Sequence, residues 1–121
     1  MLLVLALACA ASDEGPPAIT IVSPADGSVV CGEPLEVTLA VSGLTLVPPE
    51  SGDATPGTGH VDVMLNGQDV AMTGTERFEV TGVPEGAYQL KVELSNADHT
   101  PVEPYAGDLV YIEVQADACA G

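Results

Sequence analysis

The segment Tyr88-Gln89-Leu90-Lys91-Val92-Glu93-Leu94-Ser95 decides the fold of this chain. Apolar and polar residues alternate in it without a break, and a period of two is typical of a strand with one buried face. Three further segments alternate, at residues 35–42, 60–65 and 109–114, and shorter candidate strands lie at residues 18–22, 69–73 and 77–81. No segment has the spacing of an amphipathic helix, so the pattern predicts seven strands.

Residues typical of tight turns separate these strands. Asn66-Gly67 is the strongest short signal for a β-hairpin, and Gly74-Thr75 and Pro84-Glu85-Gly86 follow later. Seven short strands with frequent turns in about 100 residues are typical of an immunoglobulin-like sandwich. We therefore predict an all-β fold, a seven-stranded antiparallel immunoglobulin-like β-sandwich over residues 18–116, with a tail over 117–121.

The N-terminal region has the features of an export signal. Residues 2–8 are all apolar, too few to span a bilayer but suited to the apolar part of a signal peptide. Ala6 and Ala8 before Cys9 resemble a bacterial lipobox, although Leu7 stands where a small residue is preferred. We expect a signal peptide over 1–8, lipidation of Cys9 and a tether over 9–17. The alternative is an ordinary signal peptide with an incidental cysteine.

The three cysteines fit this interpretation. If Cys9 carries lipid, Cys31 and Cys119 are left as one pair, and an oxidising compartment permits a disulfide between them. The alternative is two free thiols. Localisation at the bacterial cell envelope, on its periplasmic face or at the cell surface, follows from the lipid anchor.

Charge narrows the choice of partners. The chain has 18 acidic residues, two basic residues and a net charge of −16. Such a surface repels phosphate backbones, and we expect no nucleic-acid partner. The remaining partners are the membrane, through the lipid on Cys9, and a protein or a cation. We expect a monomer.

The topology of such a sandwich predicts where the two histidines lie. His60 begins the third predicted strand and His99 follows the sixth, and these strands are neighbours in a Greek-key sandwich. Both long loops, 47–59 and 96–107, then lie at the same end as the histidines. Cys31 and Cys119 fall together at the opposite end.

The residues around the histidines suggest a metal site. His60, Asp62 and Met64 share the strand face that points away from the core. Candidate ligands from the second loop are Asp98, His99 and Glu103. Imidazoles with carboxylates suit zinc, copper or nickel, and a thioether favours copper. The alternative is that both histidines cap loops by hydrogen bonds.

The sequence also bears on a calcium site and on enzyme activity. Asp53, Asp98, Glu103 and Asp108 are hard oxygen donors in or beside the same loops, which would suit a calcium-stabilised adhesion-type module. The spacing of an EF-hand is missing. No Gly-x-Ser-x-Gly motif occurs, and neither histidine has an evident nucleophile partner, so we expect no enzyme activity.

Two motifs resemble those of a bacterial exported family, the domain-of-unknown-function family 4399. They are the segments 59–65, Gly-His-Val-Asp-Val-Met-Leu, and 94–101, Leu-Ser-Asn-Ala-Asp-His-Thr-Pro. The family pattern has Gly-His-x-His and later Asp-x-x-His-x-Pro, so Asp62 replaces a histidine and Asp98 directly precedes His99. The resemblance implies an immunoglobulin-like domain and assigns no function.

Together these features predict a non-catalytic, lipid-anchored envelope domain with a binding or structural role. A metal-binding envelope protein that uses His60 and His99, with a divalent or copper ion, is the first alternative. A calcium-stabilised adhesion-type module is the second.

Overall fold

The structure is a computed structural model that describes residues 15–50 and 55–119. These ranges form nine strands, β1 Ala18–Ser23, β2 Ser28–Val30, β3 Leu35–Ser42, β4 Thr45–Leu46, β5 Thr58–Leu65, β6 Gln68–Thr73, β7 Arg77–Val80, β8 Gly86–Asn96 and β9 Gly107–Val114. A short 3-10 helix, Ala116–Cys119, follows β9. The expected signal peptide, Cys9 and Asp53 lie outside the described residues.

Two sheets face each other. The smaller sheet has the order β1-β3-β7, and the larger has the order β2-β9-β8-β5-β4, with β6 also paired to β5. All seven predicted strands are present. The structure differs from the prediction in β2 and β4, which pair in parallel with β9 and β5. Strands of three and two residues are too short to show a period of two, so alternation could not reveal them.

The core lies between the sheets and consists of branched aliphatic side chains. Alternate residues of each long strand point inward, as the sequence pattern predicts. Members that are completely or almost completely buried are Leu35, Val37, Val61, Val63, Leu90, Val92 and Leu94. Phe78 and Tyr88 pack against this cluster and are only partly buried. The core is therefore aliphatic, and it is built from alternate residues of the long strands.

The hairpin between β5 and β6 has the predicted turn. Asn66 and Gly67 both have positive φ, 52° and 83°, as a two-residue turn of type I′ requires. The Asn66 side chain also accepts a hydrogen bond of 2.8 Å from the backbone N–H of Gln89. This turn joins β6 to the end of β5, the strand that carries His60.

The disulfide between Cys31 and Cys119 closes one end of the sandwich, and it confirms the predicted pairing. The two Cα atoms are 4.7 Å apart, and 88 positions separate the cysteines in sequence. Cys31 follows β2 and Cys119 ends the 3-10 helix after β9, so the bond joins segments that already lie together through the β2–β9 pairing.

No helix in the described ranges is long and apolar enough to cross a membrane.

Candidate functional site

The pairing of β5 with β8 builds a polar surface on the outer face of the larger sheet. His60 lies opposite Ser95, Asp62 opposite Glu93, and Met64 opposite Lys91. These residues alternate with the buried valines of β5, which places them on the face away from the core, as expected. We call the surface formed by His60, Asp62, Ser95 and His99 the histidine site.

A glycine permits the close approach at the start of this surface. A Cβ atom on Gly59 would collide with the carbonyl oxygen of Ser95 and would lie 2.9 Å from the Leu44 side chain. Gly59 also pairs with Asn96 of β8. The absence of a side chain at this position therefore allows β5 and β8 to pair up to His60 and beyond.

His60 is more buried than its strand face suggests. Its exposed fraction is 0%, although the face points away from the core. The chain after β8 turns back, with a bridge between Ser95 and Pro101, and places the ring of His99 against that of His60. His60 therefore lies on the face away from the core, as expected, but the turn after β8 places the His99 ring against it.

A tight turn holds His99 in place. The His99 N–H donates to the Asn96 carbonyl at 2.8 Å, and the Asn96 N–H donates to the Thr100 carbonyl at 2.8 Å. His99 has a φ of 72°, in the left-handed region that few residues other than glycine adopt. Asp98 stabilises the turn because its Oδ1 accepts hydrogen bonds from the Thr100 hydroxyl and N–H, at 2.6 and 3.1 Å.

The same hydrogen bonds alter the acidity of Asp98. The side-chain and backbone donors of Thr100 stabilise the carboxylate, and they lower the pKa of Asp98 below its ordinary value of 3.8. The nearby His99 acts in the same direction with a smaller effect. Asp98 is exposed and is committed to this turn.

The two imidazole rings are close together. Their centres are 4.9 Å apart and the ring planes are inclined by 59°. The approach of the two histidines, 39 positions apart in sequence, therefore agrees with the prediction from topology. Neighbouring positions on β5 and on the turn after β8 bring them together.

Polar atoms in this site lack partners. Nε2 of His60 lies 3.3 Å from Oδ1 of Asp62, which is within ion-pair distance. The angles do not make a hydrogen bond, and His60 Nδ1, His60 Nε2 and Asp62 Oδ1 are buried without a hydrogen-bond partner. A buried polar atom left unsatisfied costs about 1–3 kcal/mol. Such a cluster calls for a ligand or another functional explanation.

Asp62 is fixed on its other side. The Ser95 hydroxyl donates a hydrogen bond of 2.7 Å to Oδ2 of Asp62. The carboxylate thus lies between a hydroxyl and an imidazole. A serine nucleophile needs the imidazole next to its own hydroxyl, and here Ser95 bonds to the carboxylate instead. These three residues do not form a catalytic triad.

The remaining candidate ligands are described by their register, exposure and hydrogen bonds. Met64 is half-buried opposite Lys91, and Glu103 is exposed in the loop. Oδ2 of Asp108 accepts a hydrogen bond of 2.8 Å from the Ile21 N–H, which ties β9 to β1. Within residues 15–50 and 55–119, no group of three or more His, Cys, Asp or Glu side chains is arranged to hold a metal ion.

A second polar cluster, which no sequence pattern indicates, connects the loop after β8 to the strand itself. The Tyr105 hydroxyl donates to Oε2 of Glu93 at 2.8 Å, and Nζ of Lys91 lies 3.2 Å from the same oxygen. Burial and the hydrogen bond to Glu93 raise the pKa of Tyr105 above its ordinary value of 10.0. The alternation of β8 puts Lys91 and Glu93 on one face, but only the loop conformation brings Tyr105 to them.

Comparison with known proteins supports the fold alone. No family model matches the chain, and no curated protein matches it. Among solved structures, the chain is similar to the fibronectin(III)-like modules of Clostridium thermocellum CbhA, with 20% identity and a TM-score of 0.58 over 81% of this chain and 96% of that one. It is also similar to a CARDB domain from Pyrococcus furiosus, solved in complex with di-metal ions, with 18% identity and a TM-score of 0.50 over 84% and 94%.

These similarities and the two-sheet topology define the class of fold. The chain is an all-β, immunoglobulin-like sandwich of the kind found in fibronectin type III-like modules. At identities this low they do not transfer a function.

Proposed function

We propose that this chain is an exported, lipid-anchored bacterial module that acts at the cell envelope by binding or by a structural role, without catalysis. The observation that carries the proposal is the disulfide between Cys31 and Cys119. Disulfides form and persist in oxidising compartments, which supports export. The bond accounts for two of the three cysteines and leaves Cys9, directly after the apolar run, for a lipid.

The proposed anchor agrees with the composition of the N-terminal region. Residues 2–8 are apolar and are followed by a cysteine preceded by small residues, in the arrangement of a lipobox. The segment after Cys9 is small, acidic and rich in proline near its end, as suits a tether. Acylation of Cys9 would hold the sandwich at a membrane surface, on the periplasmic face or outside the cell.

The proposed lack of catalysis rests on the site chemistry and the fold. Ser95 donates to Asp62 and not to an imidazole, which argues against nucleophilic chemistry there. The similar solved structures share only a fold, and this fold serves many functions. The proposed lack of catalysis therefore depends on the residues of the site. A net charge of −16 supports cationic or basic-protein partners over nucleic acid. Membership of the domain-of-unknown-function family 4399 stays a prediction.

The anchor is tested by expressing the full chain in a bacterium that processes lipoproteins, with labelled palmitate. We expect label in the membrane fraction and an intact mass that corresponds to a chain beginning at an acylated Cys9. Cys9→Ser should remove the label, while Cys31→Ser should retain it. An unlabelled wild-type chain that is exported and cleaved elsewhere would contradict the lipid anchor and keep the export.

A further inference from the structure

We propose that His60 and His99 together bind one copper(II) ion at the histidine site. The site combines a completely buried imidazole, whose two nitrogens have no hydrogen-bond partner, with a second imidazole on an exposed turn. A buried polar group without a partner is rare in folded proteins and needs a reason. A metal bond to a ring nitrogen supplies the missing partner.

The spacing of the rings suits a shared ion. Bonds from a metal to histidine nitrogen are about 2.0 Å long, which puts each ring centre about 3 Å from the ion. Ring centres 4.9 Å apart then subtend about 100° at the ion, close to the angle between adjacent ligands in tetragonal or tetrahedral geometry. Linear two-coordinate binding would need ring centres about 6 Å apart, which the structure does not have.

The number of donors selects the ion. A structural zinc site has four protein ligands and a calcium site has six to eight oxygens, and no group of three His, Cys, Asp or Glu ligands is assembled in the described ranges. Copper(II) binds most tightly of the divalent first-row ions to a given set of nitrogen and oxygen donors. It can therefore be held by two imidazoles, with water completing the shell.

Asp62 acts as a positioning residue in this proposal. Ligating histidines usually direct their second ring nitrogen to a carboxylate, which fixes the tautomer and the ring orientation. Nε2 of His60 lies 3.3 Å from Oδ1 of Asp62, and Ser95 holds the other carboxylate oxygen at 2.7 Å. The proposal assigns Nε2 of His60 to Asp62, which leaves the unpartnered Nδ1 of His60 as the nitrogen that binds copper.

The turn after β8 provides the second ligand and the route of entry. His99 is exposed, so an ion from solvent reaches it first. The hydrogen bonds of Asn96 and Asp98 hold the turn, which limits the conformational entropy lost when the ion binds. The Tyr105 hydroxyl donates to Oε2 of Glu93 and so ties the loop to β8, beside the position of Asp62.

The test uses the full chain exported as the Cys9→Ser variant, titrated with copper(II) sulfate in glycine, a weak competing chelator. Electron paramagnetic resonance at one equivalent should show coupling to two imidazole nitrogens. His99→Asn should remove one of them and weaken binding by more than about 100-fold. Asparagine tolerates positive φ, so this variant should keep the fold, which circular dichroism verifies.

Two further variants separate positioning from general charge. Asp62→Asn should weaken copper binding about 10- to 100-fold while coupling to two nitrogens remains. Glu103→Gln, which removes an exposed carboxylate from the same loop, should change the affinity less than twofold. The proposal is overturned by wild-type copper with no nitrogen coupling, by a spectrum unchanged in His99→Asn, or by zinc that binds more tightly than copper in a competition titration. None of these outcomes depends on the lipid anchor.

Discussion

The two ends of this sandwich are built on opposite principles. At one end, Cys31 and Cys119 join β2 to the segment after β9 by a covalent bond. At the other end, the ring of His99 on the turn after β8 packs against that of His60, which is buried there with unpartnered nitrogens. The last residue of β9 and the first residue of β8 lie at the disulfide end. The first residue of β9 and the last residues of β8 lie at the histidine end.

This difference separates stability from binding. The disulfide end has a cross-link that restricts the unfolded chain, and this stabilisation does not require a ligand. The histidine end retains unfavourable buried atoms, which a stable fold without function would not need. Stability supplied at one end therefore permits an imperfectly satisfied site at the other.

The largest effect should come from removing the disulfide. Replacing both Cys31 and Cys119 by alanine should lower the free energy of unfolding by about 4 kcal/mol, because the bond closes a loop of nearly the whole domain. Urea denaturation followed by circular dichroism measures this change. Cys9→Ser is the control and should leave the value unchanged. A loss below about 1 kcal/mol would show that the disulfide end does not carry the stability we assign to it.

Both ends should depend equally on the shared core. Leu35 lies near the disulfide end with 0% exposure, and Leu94 lies near the histidine end with 2%. Leu35→Ala and Leu94→Ala should each lower the free energy of unfolding by about 3 kcal/mol, because each removes buried surface and leaves a cavity. Urea midpoints of the two variants provide the comparison. A negligible loss for Leu94→Ala alone would mean that the core does not extend to the histidine end.

Replacing His60 should raise the free energy of unfolding, whereas the substitutions above lower it. In the presence of a chelator, His60→Leu should raise the free energy of unfolding by about 1 kcal/mol, because an apolar side chain replaces two unsatisfied ring nitrogens. The matched control is His99→Asn at the exposed turn, which should change stability by less than about 0.5 kcal/mol. A loss of more than about 2 kcal/mol in His60→Leu would indicate that the buried imidazole is well satisfied in solution.

The smallest predicted effect is the loss of stability of the Asp98 turn at acid pH. The folded-state pKa of Asp98 is lowered by the hydrogen bonds from Thr100, so the turn gains stability above the ordinary value of 3.8. That contribution should be lost as the pH falls through the lowered pKa of Asp98. The carboxyl carbon shift of Asp98, measured by NMR, should titrate below the ordinary value of 3.8. Thr100→Val should return the Asp98 titration towards its ordinary position, and no change on that substitution would contradict the assignment.

Much of the fold could be predicted from alternation and turn residues. The inward faces of β3, β5, β8 and β9, the Asn66-Gly67 turn and the pairing of Cys31 with Cys119 all follow from local patterns and a known topology. The short strands β2 and β4 could not be predicted, because a run of two or three residues carries no periodicity.

The site was only partly predictable, for a different physical reason. Strand neighbours brought His60 and His99 together, but the burial of His60 depends on how the loop between β8 and β9 folds back. That fold is set by contacts distant in sequence, such as the one between Tyr105 and Glu93. Local composition does not encode such contacts, so the sequence places His60 on the outer face of its strand but does not reveal that the side chain is buried.

The most direct measurement concerns the two imidazoles, which are the only histidines in the chain. Ring centres 4.9 Å apart should give nuclear Overhauser cross-peaks between the ring protons of His60 and His99 in the exported Cys9→Ser chain. Cross-peaks between those rings, in a sample whose Cys31–Cys119 bond is intact, are the predicted result. If each ring instead shows cross-peaks only to residues adjacent in its own segment, the shared site at this end of the sandwich is wrong.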